Sequence, residues 1–441
     1  MQTLTRRFLH GLTAILALGM SSSAWSAPGL LEVLNVAREH DSKLAAAEAA
    51  RRAGQEALPQ ARAALWPQMG LTAGINRAHR NLEPSTAQSG TYSGSSLAFV
   101  LRQPLFDRQK WIAVDQAESR VALSELDWLR AEQDLMLRVA EGYTNAVFAE
   151  DVVDLARAKI AAIAEQRLQA EHMYKGGIGT VTDIHEAQAR YDLAVAEELA
   201  AQSHRRNMRQ ALFTLTGRVF ESLAPLNDSV EFSPPQPEVL EAWVDAARNG
   251  SLEIQGAELQ RQIAQFSVES ARSQGYPVLD AVVNAQRLGN TDTGYDKDET
   301  YSAGVQLSLP VLTGGRLESV SRQASARLDQ AMAEVRLARS ESEQRVVEAF
   351  HGVVDSGARI RALRQAVRSS EVALDAARIG LQVGYRTGVD VLNAQHQLFT
   401  ARRDLQQARY AFVMYRFRLA AAVGALGTND VAVIDNWLKK N

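Results

Sequence analysis

Apolar positions recur along this chain with two periods, and the places where one gives way to the other divide it into elements. Ala394, Leu398, Ala401, Leu405, Ala408, Phe412, Tyr415, Leu419 and Ala422 follow one another in alternating steps of four and three. That is the seam of a coiled coil, with Arg402, Arg403, Asp404 and Arg409 off it. Ala187, Tyr191, Ala194, Ala201, Met208 and Leu212 write the same seam earlier in the chain, interrupted by Glu198 and Arg205. Elsewhere the period is two. Met69, Leu71, Ala73 and Ile75 alternate with Gly70, Thr72, Gly74 and Asn76, and Leu279, Ala281, Val283 and Ala285 with Asp280, Val282, Asn284 and Gln286. Tyr301, Ala303, Val305, Leu307 and Leu309 alternate with Ser302, Gly304, Gln306 and Ser308, and Leu97, Phe99 and Leu101 stand less cleanly between Ala98 and Val100. Period two with one apolar face predicts strands, each about ten residues long.

The pattern is written twice, at a spacing near 207 residues. Gln103-Pro104-Leu105-Phe106-Asp107-Arg108 corresponds to Leu309-Pro310-Val311-Leu312-Thr313-Gly314, and Gly177-Ile178-Gly179-Thr180-Val181-Thr182-Asp183 to Gly384-Tyr385-Arg386-Thr387-Gly388-Val389-Asp390. Each half reads as helix, strand, polar loop, strand, very long helix, glycine-rich turn, helix. In the first half the spacing predicts helix over 30–64, strands near 69–77 and 93–102, a helix over 107–174 and another over 181–215. The long helix would reach roughly 100 Å at 1.5 Å per residue. The polar segments 78–91 and 288–300 read as loops. Pro67, Pro104, Pro277 and Pro310 stand where strand meets helix, as a residue without an N–H that disfavours helix before it should. The organisation expected is a first repeat over 27–217, a proline-rich linker over 218–238, a second repeat over 239–426 and a tail over 427–441.

Ahead of the first repeat, residues 1–26 read as a secretory signal: basic Arg6 and Arg7, an apolar run from Phe8 to Met20, and Ala24 at the small position before cleavage after Ser26. Removing it takes away two arginines and no acid, so the formal net charge passes from −3 to −5. Such a balance offers no surface for nucleic acid. Cysteine is absent, which excludes disulfides, thiolate metal sites and a lipoprotein anchor. Aromatic residues are only 6%, consistent with long alanine-rich helices rather than a compact aromatic core. No apolar run after the signal reaches the ~18 residues of a membrane helix.

Catalytic signals are missing. His185-Glu186 lacks the second histidine of a zinc motif, and Gly176-Gly177-Ile178-Gly179 lacks the Lys-Ser/Thr of a phosphate loop. The expectation is a protein with no enzymatic activity, no metal and no cofactor. Asp183 and Asp390 each follow a glycine-containing turn and read, on the residues alone, as helix N-caps.

The alternating strands fit a membrane barrel with Leu71, Val283 and Leu307 toward lipid and Thr72, Asn284 and Gln306 toward water. Four strands are too few to close a barrel, and lipid does not tolerate open sheet edges, so two or three copies would combine. A periplasmic coiled-coil adaptor or structural rod is the alternative, although neither a membrane helix nor a lipid-accepting cysteine is present to anchor an adaptor.

The duplicated helix–hairpin–helix plan, Gln103-Pro104-Leu105-Phe106-Asp107, Tyr143 within Arg138-Val139-Ala140-Glu141-Gly142-Tyr143, and the turns around Asp183 and Asp390 together resemble the TolC family of outer-membrane channel-tunnels, the type I secretion branch in particular. The resemblance implies a mainly α protein with a small β part: a homotrimer whose helices form an α-barrel in the periplasm and whose hairpins form a twelve-stranded barrel in outer-membrane lipid. It further implies a passive exit duct for protein secretion or small-molecule efflux. The duct would be opened at its periplasmic end by an adaptor (membrane fusion) protein and an inner-membrane transporter, ABC or proton-driven. Position by position, Arg386 matches the arginine of the family's gate links, Thr182 and Asp183 its partners, and Asp390 an aspartate ringing the closed entrance. Leu381 stands where some members have a linking tyrosine, and Asn393 where some have a second aspartate.

Overall fold

A computed structural model describes residues 27–80, 90–289 and 297–439. The expected signal segment lies outside the described residues, as do the centres of both polar loops. Helices α1 (Leu30–His40), α2 (Ser42–Gln55) and α3 (Ala57–Ala63) lead into strands β1 (Gln68–Arg80) and β2 (Gly90–Phe106). Helix α4 (Arg108–Lys175, 68 residues) then returns through α5 (Val181–Thr216). The second half repeats this with α6 (Leu240–Gly250), α7 (Leu252–Ser273), β3 (Val278–Gly289), β4 (Lys297–Ser308), α8 (Arg316–Gln382) and α9 (Gly388–Ala422). Helix α10 (Thr428–Asp435) falls in the segment read as a tail, where the sequence had offered no element.

Three expectations need correction. The single helix over 30–64 is broken at Asp41 and Glu56. Asp41 is extended (ψ 114°) and its carboxylate accepts from the Leu44 N–H at 2.8 Å, so it ends α1 and caps α2. Arg138 on α4 holds the same carboxylate through contacts of 2.7 and 3.2 Å, which lowers the Asp41 pKa and ties the break to the long helix. Secondly, the polar segments are not wholly loop, because β1 runs to Arg80, β2 starts at Gly90, β3 runs to Gly289 and β4 starts at Lys297. Polar side chains do not break a strand whose both faces can meet water. Thirdly, Pro104 lies inside β2, where the register with β3 shifts between Pro104 and Phe106. A bulge is the place where a strand tolerates a missing N–H.

The four strands form one antiparallel sheet in the order β1-β2-β3-β4, so the two halves join through β2 and β3. The register places the alternating sets on common faces. Leu71, Phe99, Ala285 and Tyr301 lie opposite one another, as do Met69, Leu101, Val283 and Ala303. The other face carries Gly70, Val100, Asn284 and Ser302 in one row and Pro104, Asp280 and Gln306 in another. Asn284 Nδ2 lies 3.4 Å from Ser302 Oγ, and Arg102 Nε 3.8 Å from Asp280 on that polar face.

Helix α4 packs along α5 and α8 along α9, giving two long hairpins, while α2 and α3 lie on α4 and α7 lies on both long helices. The core sits at the waist. Leu34, Leu135, Val139, Tyr143, Val413 and Phe417 meet Leu223, Leu226 and Ile434 in one cluster, and Val346, Val353, Phe412 and Leu419 meet Phe232 in another. The linker is pinned by two buried polar side chains. Tyr143 Oη donates to Ala224 O at 2.7 Å, and Arg409, off the seam yet only 3% exposed, donates to Asn227 O at 2.7 Å and to Asp228 at 2.9 Å.

The two halves also meet through Tyr410 on α9, whose hydroxyl donates to Asp151 on α4 at 2.8 Å. Burial pushes the Asp151 carboxyl up to about 6 against the help of Tyr410 and Arg409, with Asp154 and Glu150 adding like charge. A raised carboxyl favours the fold most below its ordinary value of 3.8, and that advantage is lost as pH rises through about 6. Asp151→Asn keeps an acceptor for Tyr410 and carries no charge. It should therefore raise the heat-unfolding midpoint at pH 8, by the equivalent of about 2–3 kcal/mol, and change it little at pH 4. Melting curves of both proteins at the two pH values check this.

Candidate functional site

The free ends of the two long hairpins carry most of the residues singled out in the sequence. At the first, Gly177 takes φ 72° and the Ile178 and Gly179 N–H groups both donate to Met173 O, at 3.0 and 3.1 Å. At the second, Gly384 takes φ 79° and the Tyr385 and Arg386 N–H groups both donate to Gly380 O, at 2.8 and 3.0 Å. Each turn thus folds its backbone onto one carbonyl, at positions 207 residues apart. Positive φ is why glycine stands at both bends.

The side chains around that shared turn are reversed between the halves. A Cβ on Gly179 would lie 3.1 Å from Met173 Cβ, and one on Gly380 would lie 2.6 Å from Arg386 Cγ. The turn has room for one side chain at this crossing. Met173 takes it in the first half. In the second half Gly380 vacates it, and Arg386 lies there.

Both following helices begin with a capping box, which corrects the reading of the two aspartates. Thr180 and Thr387 are the N-caps, and Asp183 and Asp390 stand three residues later. Asp183 Oδ2 accepts from Thr180 N–H and Oγ1 at 3.0 and 2.7 Å, and Asp390 Oδ2 from Thr387 N–H and Oγ1 at 2.9 and 3.0 Å. The backbone bond from Thr387, then its hydroxyl, hold the Asp390 carboxyl below its ordinary value, with Arg386 adding to this.

Within one chain the expected links are not all brought together. Arg386 lies 3.8 Å from Asp390 Oδ1 on its own hairpin, and among the described residues it pairs with this carboxylate rather than with Asp183. Thr182 is exposed at the first hairpin end. Leu381 is buried with Leu374, Ala377, Val391 and Leu398 against Met173, so the position of the missing tyrosine has become core. Asn393 accepts from Arg190 Nη2 at 3.1 Å, a link from α5 to α9 that sequence reasoning missed. No sequence signal pointed to it, since Arg190 and Asn393 stand seven and three residues past their aspartates and are not equivalent positions of the repeat. Leu392 packs beside it with Ile163, Ala187 and Ala194. Toward the waist, a cavity of about 440 Å³ lined by Lys159, His204, His396, Phe399 and Arg403 separates the hairpins. At the other end of the long helices, Pro67 and Pro277 directly precede β1 and β3, and Pro310 follows β4.

The family described as outer membrane efflux protein matches residues 33–218 and 243–425. The chain belongs to that family. Outer membrane protein TolC of Vibrio cholerae is 32% identical over 96% of this chain and 97% of that protein. The alkaline protease secretion protein AprF of Pseudomonas aeruginosa is 29% identical over 92% of this chain and 86% of its own length. Among solved structures, the outer membrane protein VceC of Vibrio cholerae superposes with TM-score 0.75 at 22% identity, covering 90% of this chain and 96% of that one. CusC superposes with TM-score 0.79 at 16% identity, covering 90% of this chain and 92% of that one. As a member of the outer membrane efflux protein family, this chain is an outer-membrane export channel whose helices extend as a tunnel into the periplasm. The sheet is accordingly the part that meets the outer membrane, and the hairpin ends lie at the periplasmic extremity of the helices.

Filling the crossing at Gly380 should move Arg386. Gly380→Ala favours helix by about 1 kcal/mol on propensity alone, so a purely local effect would stiffen the hairpin end. Displacement of Arg386 should instead raise single-channel conductance, as planar-bilayer recording of the purified channel would measure.

Proposed function

We propose that three copies of this chain build the channel. The observation that carries the reading is the sheet itself: four strands in one layer, with β1 and β4 as unpaired edges and both long hairpins leaving from the same end. Three sheets joined edge to edge give twelve strands and a closed barrel, and six hairpins continue it as a tunnel. Closure satisfies the backbone groups that lipid would otherwise strand. Pro67, Pro104, Pro277 and Pro310 mark the passage from barrel to tunnel. The duct catalyses nothing and takes its driving force from an inner-membrane transporter, ABC or proton-driven, reached through a periplasmic adaptor. The likeness to AprF supports protein secretion as the cargo class, and efflux of small molecules is the second reading, supported by the match to the efflux family.

The entrance is held shut by polar links between hairpins. Arg386 reaches Thr182 and Asp183 of a neighbouring hairpin, supported by Arg190 and Asn393 within each chain. Three Asp390 carboxylates surround the axis and favour cations, since like charges at short range are relieved by a bound cation. Asn393, already engaged by Arg190, adds no second ring.

Fractionation tests the assembly: the protein should appear in the outer membrane as a detergent-resistant trimer that separates on heating, and a monomer with full strand content would sink the reading. Bilayer recording tests the entrance. Arg386→Ser should raise conductance, each charge-assisted bond contributing about 1.5–3 kcal/mol to the closed state. Asp390→Asn can still accept the Thr387 bonds, so a capping role alone predicts unchanged currents. The ring predicts loss of block by multivalent cations with the trimer intact.

A further inference from the structure

The lipid face of the sheet does not end as it begins. At the helix side its margin is apolar, with Phe106 exposed on β2 and Trp66, Leu309 and Leu312 exposed just beyond the strands. Toward the opposite margin the same face turns basic. On β1 the alternation passes from Ile75 to Arg77 and His79, on β3 from Ala285 to Arg287, and β4 begins Lys297, Asp298, Glu299, with Lys297 and Glu299 on this face. The register sets Leu97, Arg287 and Glu299 in one row and Ser95, Gly289 and Lys297 in the next. Arg287 Nε lies 3.4 Å from one Glu299 oxygen, and the Tyr301 hydroxyl donates to the other at 3.4 Å. The acid of this margin is therefore engaged. Arg77 and Lys297 have no carboxylate within ion-pair distance among the described residues, and both are exposed.

Because the helices occupy the periplasm, this basic margin meets the outer leaflet. A cation on a lipid-facing strand costs several kcal/mol at mid-membrane and little at the interface, where anionic headgroups attract it. We propose that the external margin of the lipid face, with Arg77 and Lys297 as its free cations, is a binding surface for the phosphorylated glycolipid of the outer leaflet, held through its phosphates. Arg77 lies on edge strand β1 and Lys297 on edge strand β4. Resting on the trimer proposed above, each seam between copies brings edge strand β1 of one against edge strand β4 of the next, so that Arg77 and Lys297 stand on the two sides of one seam and offer two cations to a lipid that carries two phosphates.

The test is the glycolipid kept by the purified channel. Protein extracted in mild detergent is washed, and its lipopolysaccharide is quantified chemically, for the unaltered chain, for Arg77→Gln with Lys297→Gln, and for Arg77→Lys with Lys297→Arg. Retention should fall about tenfold or more in the neutral pair, given roughly 1 kcal/mol per cation near an anionic headgroup, and persist in the charge-conserving pair. Arg322→Gln, on the exposed face of α8, should leave it unchanged. Delipidated channel should rebind lipopolysaccharide from mixed micelles, and dephosphorylated lipid should not displace it. Equal retention in the neutral pair overturns the proposal, as does equal rebinding of dephosphorylated lipid, or binding of inorganic phosphate without lipid. Heat-resistant assembly and conductance are read on the same samples. Unchanged values there separate failure of the lipid surface from failure of the channel reading.

Discussion

Backbone hydrogen bonding in lipid constrains everything else in this molecule. A strand in hydrocarbon must have both edges paired, and this chain supplies one sheet of four strands with two edges open. That deficit goes with a sheet flanked by paired helices rather than covered by them, its apolar residues on β1 and β4 exposed. It also explains why the protein's own core lies elsewhere. Leu135, Val139, Tyr143 and Phe412 are buried at the waist, far along α4 and α9 from the sheet. The waist is where a single chain is self-sufficient, whereas the sheet keeps two open edges.

Much of this was legible in the residues, and the reasons differ by element. The long helices announced themselves because a seam of period three-and-four over nine positions has no other use, and the strands because alternation over ten residues is hard to produce otherwise. Boundaries were less legible where a single side chain decides them. Asp41 looks like any polar residue on an amphipathic helix until Arg138, 97 positions away, is seen to hold its carboxylate. Helix α10 was invisible because its pattern is short and its burial depends on Leu226 and Phe417 arriving from elsewhere.

The entrance was legible in composition and not in geometry. Asp183 and Asp390 were marked by their place after a glycine turn, yet their place in a capping box depends on the threonines three residues earlier. The exchange of Met173 and Gly179 for Gly380 and Arg386 can be seen in the aligned halves only once the shared turn shows that these two positions cross. The Arg190–Asn393 bond escaped for the same reason, since nothing in either helix alone says that the two face each other.

The waist and the entrance are joined by helix without interruption, and this gives the long elements a mechanical meaning. From Asp151, fixed by Tyr410, helix α4 runs on to Lys175, an arm of roughly 36 Å at 1.5 Å per residue, braced on its way by Ile163 against Leu392 and Met173 against Leu381. A rod held at one end converts a slight tilt at its root into a wide sweep at its tip. A sideways push applied at the tip likewise works at the greatest mechanical advantage. On the three-copy reading proposed above, bonds at the end of such an arm act on the opening with the greatest leverage, while the core at the waist stays intact.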